Sequence, residues 1–223
     1  MPNDPTSATD ASIGFTAEDG ATFQCSVDGG DYADCTSPMD FSDLAEGDHA
    51  LAVKAIDAAG NKSIPAIATW TVDTTAPDAP SINSQPNDPD SNATPTFTFS
   101  GDTGATFKCS VDDSDPASAT DCTSPYTTAA LEEGAHTFYV WQTDAAGNSG
   151  ADPASYEWNV DLTAPDAPSI SGIPAHTIYR NAQFDISGDD GATFQCRLDG
   201  AVSWTTCSSP MLYLNLSIGA HQV

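Results

Sequence analysis

A nine-residue segment occurs three times in this chain. Gly20 to Asp28 reads GATFQCSVD, Gly104 to Asp112 reads GATFKCSVD, and Gly191 to Asp199 reads GATFQCRLD. The copies start 84 and then 87 residues apart. Each continues to a second Cys, then x-Ser-Pro, then Leu-x-x-Gly-x-His. The first copy carries Cys35, Pro38, Leu44, Gly47 and His49. The second carries Cys122, Pro125, Leu131, Gly134 and His136, and the third Cys207, Pro210, Leu216, Gly219 and His221. Offsets from the second Cys are the same in all three. Solenoid coils repeat every 20 to 50 residues or so; a period this long marks one small domain recurring along the chain.

Within each copy the apolar residues alternate with period two, the mark of half-buried strands. Ile13 and Phe15 alternate, as do Phe97 and Phe99, and Phe184 and Ile186. Phe23, Cys25 and Val27 follow, matched by Phe107, Cys109 and Val111 and by Phe194, Cys196 and Leu198. A later strand carries Leu51, Val53 and Ala55, matched by Phe138 and Val140; the last carries Trp70 and Val72, matched by Trp158 and Val160. Gly, Pro, Asp and Asn clusters separate them, and no stretch has helical periodicity. About seven short strands in roughly 85 residues predict an all-β fold of tandem immunoglobulin-like (fibronectin-III-like) β-sandwich repeats. The expected division is repeat 1 over 1–73, a linker over 74–79, repeat 2 over 80–161, a linker over 162–167, and repeat 3 over 168–223. Val223 aligns with Leu51 and Phe138, so the third repeat is expected to be truncated. Met1-Pro-Asn-Asp-Pro5 aligns with Gln85-Pro-Asn-Asp-Pro89. The chain therefore reads as a piece of a longer array, with neighbouring repeats of that chain as its first partners.

The string ATFKCSVD…DCTSPY…LEEGAHTFYVWQTDAAGN…WNVDLTAPDAP resembles the bacterial Ig-like repeats of large surface adhesins and other secreted multidomain proteins. The first copy shows the same signature in DAAGN at Asp57 to Asn61 and VDTTAPDAP at Val72 to Pro80. The resemblance covers nearly the whole chain. It implies an extracellular or cell-surface spacer, an adhesin stalk, with a host or surface ligand for the parent protein and, in some members, Ca²⁺ at the joints between domains.

Charge narrows the partners. The chain has 32 acidic and 5 basic residues and a net charge of -27. Nucleic acid and anionic lipid need Lys and Arg to displace counterions, so neither is an expected partner. No apolar run is long enough to span a bilayer, and no secretory signal follows Met1. The regular alternation of aromatic and β-branched residues opposes disorder despite the charge.

Six cysteines allow fifteen pairings in general. One pair per repeat predicts Cys25–Cys35, Cys109–Cys122 and Cys196–Cys207. The alternative, thiolate–zinc ligation, has only two ligands per repeat. His49, His136 and His221 occupy one position in separate domains, so they cannot converge on a catalytic centre; the reading is a turn residue entering a strand. His176 is unrepeated. No Gly-x-Ser-x-Gly, HExxH or P-loop motif is present, and no enzymatic activity is expected. Trp141 and Trp204 are also unrepeated, and read as packing residues or, alternatively, as sugar-stacking ones. Sequons fall at Asn61, Asn92 and Asn215.

The joints are the strongest candidate sites. Linker, BC-loop and FG-loop residues should meet at one pole of each sandwich. For the first joint these are Asp73, Asp78, Asp102, Asp144 and Asn148. For the second they are Asp161, Asp166, Asp189 and Asp190. Oxygen ligands gathered in this way suit Ca²⁺, which takes six to eight. The alternative is that Asp and Asn serve only as turn formers and solubilisers. The expected function is a non-enzymatic spacer; the rivals are a carbohydrate- or surface-binding module and an accessory region of a secreted hydrolase.

Overall fold

The computed structural model describes residues 1–172 and 180–223; His176 lies outside them. Every regular element among the described residues is a β-strand. The chain divides into two compact units, Met1–Leu162 and Thr163–Val223.

In the first repeat the strands are β1 (Ala11–Ile13), β2 (Thr22–Val27), β3 (Ala33–Cys35), β4 (Met39–Phe41), β5 (Gly47–Ile56) and β6 (Ala66–Val72). The second repeat adds one at its start: β7 (Ser81–Ser84), β8 (Thr96–Ser100), β9 (Thr106–Val111), β10 (Thr120–Cys122), β11 (Tyr126–Thr127), β12 (Gly134–Thr143) and β13 (Ala154–Val160). Its sheets have the orders β11-β8-β7 and β10-β9-β12-β13, all antiparallel. The first repeat shows the same plan as β1-β4 and β3-β2-β5-β6. This is the fibronectin-III-like sandwich that the period-two pattern predicts.

Burial explains the alternation. Leu51, Val53, Trp70 and Val72 turn inward with Ile13 and Cys25 to form the first core. Phe97, Phe99, Phe138, Val140, Trp158 and Val160 form the second around Cys109. Phe97 stacks on Phe138 at 4.2 Å, and Trp158 meets Phe97 edge-on at 5.2 Å. Each fully buried indole removes some 150–250 Å² from water, worth roughly 4–6 kcal/mol as an upper bound. The Pro-Asn-Asp-Pro segments close the outer edges of the four-stranded sheets. Thr6 pairs in parallel with Val72, and Asp90 with Val160. The Asp4 and Asp88 carboxylates accept the N–H groups of Thr71 and Asn159 at 3.0 and 2.9 Å.

The second unit contains β14 (Ser169–Ser171), β15 (Ala182–Ser187), β16 (Phe194–Cys196), β17 (Thr205–Cys207) and β18 (Met211–Tyr213), in the sheets β14-β15-β18 and β16-β17. These correspond to β7 through β11. Counterparts of β12 and β13 are absent among its described residues. Its core is thin in consequence: of its described apolar side chains, Ala182, Ile186 and Cys196 are buried.

Three disulfides join Cys25 to Cys35, Cys109 to Cys122 and Cys196 to Cys207. Each lies within one repeat, as the one-pair-per-copy spacing predicts, and each staples a hairpin: β2 to β3, β9 to β10, β16 to β17.

Candidate functional site

Two local arrangements hold functional-type side chains in fixed geometry. The first recurs in every repeat. Asp28, Asp112 and Asp199 end the GATFxCxxD motif with left-handed φ of 49°, 62° and 53°, which Asp tolerates better than most residues. The turn aims each carboxylate at the strand entry that follows Leu-x-x-Gly. One oxygen accepts the backbone N–H of Ala50, Thr137 or Gln222 at 2.8, 2.8 and 3.0 Å. The other meets Nδ1 of His49, His136 or His221 at 2.9, 2.7 and 2.7 Å. The opposite ring nitrogen, Nε2, faces the carbonyl of Ala45, Glu132 or Ser217 at 2.8, 2.9 and 2.9 Å. The Ala45 carbonyl and the Asp28 carboxylate raise the His49 pKa above its ordinary 6.5. Asp112 and Glu132 do the same for His136, and Ser217 and Asp199 for His221. The ring lies 5.7 Å from Trp70 in the first repeat and 5.9 Å from Trp158 in the second. The histidines are therefore tied strand-entry residues, each closed in by its own loop.

The second arrangement is the joint between the first two repeats. Linker Thr74 and Thr75 donate their hydroxyls to the Glu46 carboxylate at 2.8 and 2.7 Å. These bonds hold the Glu46 carboxyl below its ordinary value. From the second repeat, Asn148 donates its side-chain N–H to the Asp73 carbonyl at 2.7 Å. Gln142, 3% exposed on β12, donates to the Asp78 carbonyl at 2.7 Å and to the Asp102 carboxylate at 3.1 Å. Its own carbonyl accepts the Asp102 N–H at 3.0 Å. Ser7 donates its N–H to the Ala146 carbonyl at 3.0 Å.

Of the residues expected at this joint, all five take part, but in other roles than those of a cation cage. Asp73 and Asp78 present backbone carbonyls to the second repeat, and each already receives an N–H. The Asp144 carboxylate closes its own turn, accepting N–H groups of Gly147 and Asn148 at 2.8 Å each and the Asn148 side chain at 2.9 Å. Burial raises its pKa, but those bonds outweigh it and leave the carboxyl below its ordinary value. At the linker the Gln142 and Asn148 amides donate to the oxygens of Asp73, Asp78, Asp102 and Asp144. Among the described residues no three His, Cys, Asp or Glu side chains gather to hold a metal.

Asp161 belongs to the first unit, where its N–H bonds the Asp90 carbonyl at 3.0 Å. Asp166 and Asp189 belong to the second, where the Asp189 carboxylate accepts the Asp166 N–H at 2.9 Å; Asp190 is exposed there. Trp141 is buried beside Tyr139, while Trp204 is 54% exposed with the Arg197 guanidinium 4.6 Å from its ring.

The residues missed from sequence are Gln142, Glu46, Gly101 and Gly150. A signal for three of them exists. At the matching positions the first repeat has Ala55, Ala17 and Ser63. A Cβ on Gly150 would stand 3.0 Å from the Pro77 carbonyl, and one on Gly101 would collide with the Gln142 amide. The three differences together build the linker seat.

No family model and no curated protein matches the chain. Among solved structures it is similar to the fibronectin(III)-like modules of Clostridium thermocellum CbhA, at 17% identity and a TM-score of 0.41 over 70% of this chain and 88% of that one. It is also similar to the FN1-FN3 domains of chicken CNTN1, at 11% identity and a TM-score of 0.35 over 95% of this chain and 85% of that one.

Proposed function

We propose that the chain is a non-enzymatic spacer from a secreted or cell-surface bacterial protein, an adhesin stalk, in which stapled sandwiches are coupled through stiffened joints. The observation that carries this reading is the joint itself. A spacer transmits position only if its hinges are stiff, and here one buried amide and one half-buried amide clamp a Pro-restricted linker. The disulfides support an oxidising, extracellular compartment. Asp and Asn serve chiefly as turn locks, which accounts for much of the acidity without a catalytic role.

The test is the distance distribution between spin labels placed on the first and second repeats of the full chain. Wild type is expected to give one narrow distribution. Gln142→Leu leaves the Asp78 carbonyl and Asp102 N–H without their partner, costs about 1–3 kcal/mol, and broadens it. A broad distribution in wild type would overturn the reading. The exposed face of Trp204 favours a second reading, a carbohydrate-binding surface, although Arg197 already occupies part of that ring. Saturable glycan binding lost on Trp204→Ala would support this second reading.

A further inference from the structure

Lys54, Lys62, Lys108, Arg180 and Arg197 are the only cations in a chain with 32 acidic residues. Among the described residues none of them forms an ion pair with a carboxylate; the ion pairs there are the three His–Asp clasps. Two of these cations are held on neutral groups at one place, the outer face of the first repeat's four-stranded sheet. Lys54 alternates with the inward Leu51 and Val53 on β5 and lies opposite Gln24 on β2. Its Nζ stands 3.8 Å from the centroid of the Tyr32 ring. Lys62 donates from Nζ to the Gln24 carbonyl at 2.9 Å, and Gln24 donates from its amide N–H to the Asp34 carboxylate at 3.0 Å. The amide thus stands between Lys62 and Asp34. Tyr32 directly precedes β3 and is 37% exposed.

The second repeat builds the same face differently. Tyr139 and Trp141 stand where the first repeat has Ala52 and Lys54, with their rings 5.9 Å apart and Trp141 buried. Ala119 replaces Tyr32 and is buried. The third repeat keeps a ring and a cation. Trp204 directly precedes β17 as Tyr32 precedes β3, and the Arg197 guanidinium lies 4.6 Å from its ring. Arg197 follows β16 and matches Ser26, not Lys54. An aromatic ring with a cation on it therefore recurs at one position, although different strands supply the cation.

We propose that this outer face of the first repeat binds a glycan whose carboxylates are spaced by neutral sugars, a uronic-acid polymer. The Tyr32 ring takes the apolar C–H face of a pyranose. The Lys54 and Lys62 ammonium groups take the carboxylate, and Gln24 positions Lys62. Charge complementarity selects the ligand. The ring and the amide orient the two cations without neutralising them, so both keep their attraction for an incoming anion. Dense polyanions such as nucleic acid meet the whole surface of a chain with net charge -27 and are repelled. A carboxylate set between neutral sugars meets the ammonium groups alone, because exposed charges farther away than about 8 Å are screened at physiological ionic strength. The inference does not rest on the spacer reading, whose joint is built from other residues.

The experiment is a calorimetric titration of the full chain with three probes: a partly methyl-esterified oligogalacturonate, its fully esterified neutral form, and a heparin oligosaccharide. The partly esterified form is expected to bind about tenfold or more tightly than either of the others. Lys54→Gln combined with Lys62→Gln should remove that preference. Tyr32→Ala should weaken binding by about tenfold, and Tyr32→Phe, which keeps the ring, should retain it. Trp204→Ala should leave it unchanged, which separates this face from the Trp204 surface. Four results would overturn the proposal: no binding of the partly esterified form at millimolar concentration, equal binding of the neutral form, tighter binding of heparin, or loss on Trp204→Ala alone. So would a concentration-dependent dimer that the double Lys→Gln variant dissolves, because the anion is then the acidic surface of a second copy.

Discussion

Each repeat fastens one histidine by both ring nitrogens, and both partners are acceptors. A neutral imidazole carries one N–H and leaves a lone pair against the other oxygen. Only the imidazolium satisfies the Asp carboxylate and the backbone carbonyl together. For His49 the surrounding groups reinforce this: Asp28 follows β2, Asp48 lies next to His49 on β5, and Asp4 and Trp70 line the same hollow. The folded pKa is therefore raised, and the clasp contributes fully below the ordinary 6.5 and is lost as pH rises through the folded value. The Ala50 N–H and His49 lower the pKa of Asp28, so that carboxylate's share is present above 3.8 and fades as pH falls through its depressed value. The melting temperature should rise as pH is lowered from 8 to about 5 and fall again in stronger acid. Replacing all three histidines by Gln should flatten the upper part of that profile in a thermal-denaturation series.

At the scale of elements, the sandwiches are joined through β12, the linker and the loop after β12. The loop Asp144-Ala-Ala-Gly-Asn148 has an equivalent in Asp57-Ala-Ala-Gly-Asn61, where Asp57 likewise accepts the Asn61 side chain at 2.7 Å. The motif is thus a self-contained turn, and its Asp is committed before any neighbour arrives. The joint adds to it a free Asn N–H and the Gln142 amide. Because those donors hold the linker without a cation, the label-to-label distance across the joint should be the same in millimolar Ca²⁺ and in chelator. A distance that shifts with Ca²⁺ and returns with chelator would show that the carboxylates, not the amides, govern the joint.

Across the whole molecule, stability is unevenly distributed. The first unit contains two complete aromatic cores, whereas the second has three buried apolar side chains among its described residues. Local opening follows such differences in burial. The five basic residues make trypsin a sensitive probe of this, with Lys54, Lys62 and Lys108 in the first unit and Arg180 and Arg197 in the second. Cleavage should begin at Arg180 and Arg197 and leave a resistant fragment ending near residue 180, seen by mass spectrometry of a limited digest. Trp158→Ala should cost about 3–5 kcal/mol and bring Lys108, the basic residue of the second repeat, into the early digest.

Much of this was legible in the residues alone. The recurrence of GATFxCxxD, the period-two alternation and one Cys pair per copy determined the strands, the sandwich and the three disulfides, because each depends on spacing along a chain whose local geometry repeats. The partners of the charged and polar groups depended on distance in space. Asp144 reads equally as a cation ligand or a turn lock until its carboxylate is seen accepting its own loop's N–H groups. Gln142 carries no motif, and only the fold brings it 2.7 Å from a carbonyl 64 residues away. Asp28 and His49 are 21 residues apart and become a clasp because a left-handed turn faces a strand entry. Hydrogen bonding acts over some 3 Å, so which polar groups meet was decided by the tertiary structure, while the apolar pattern had already determined which faces would be buried.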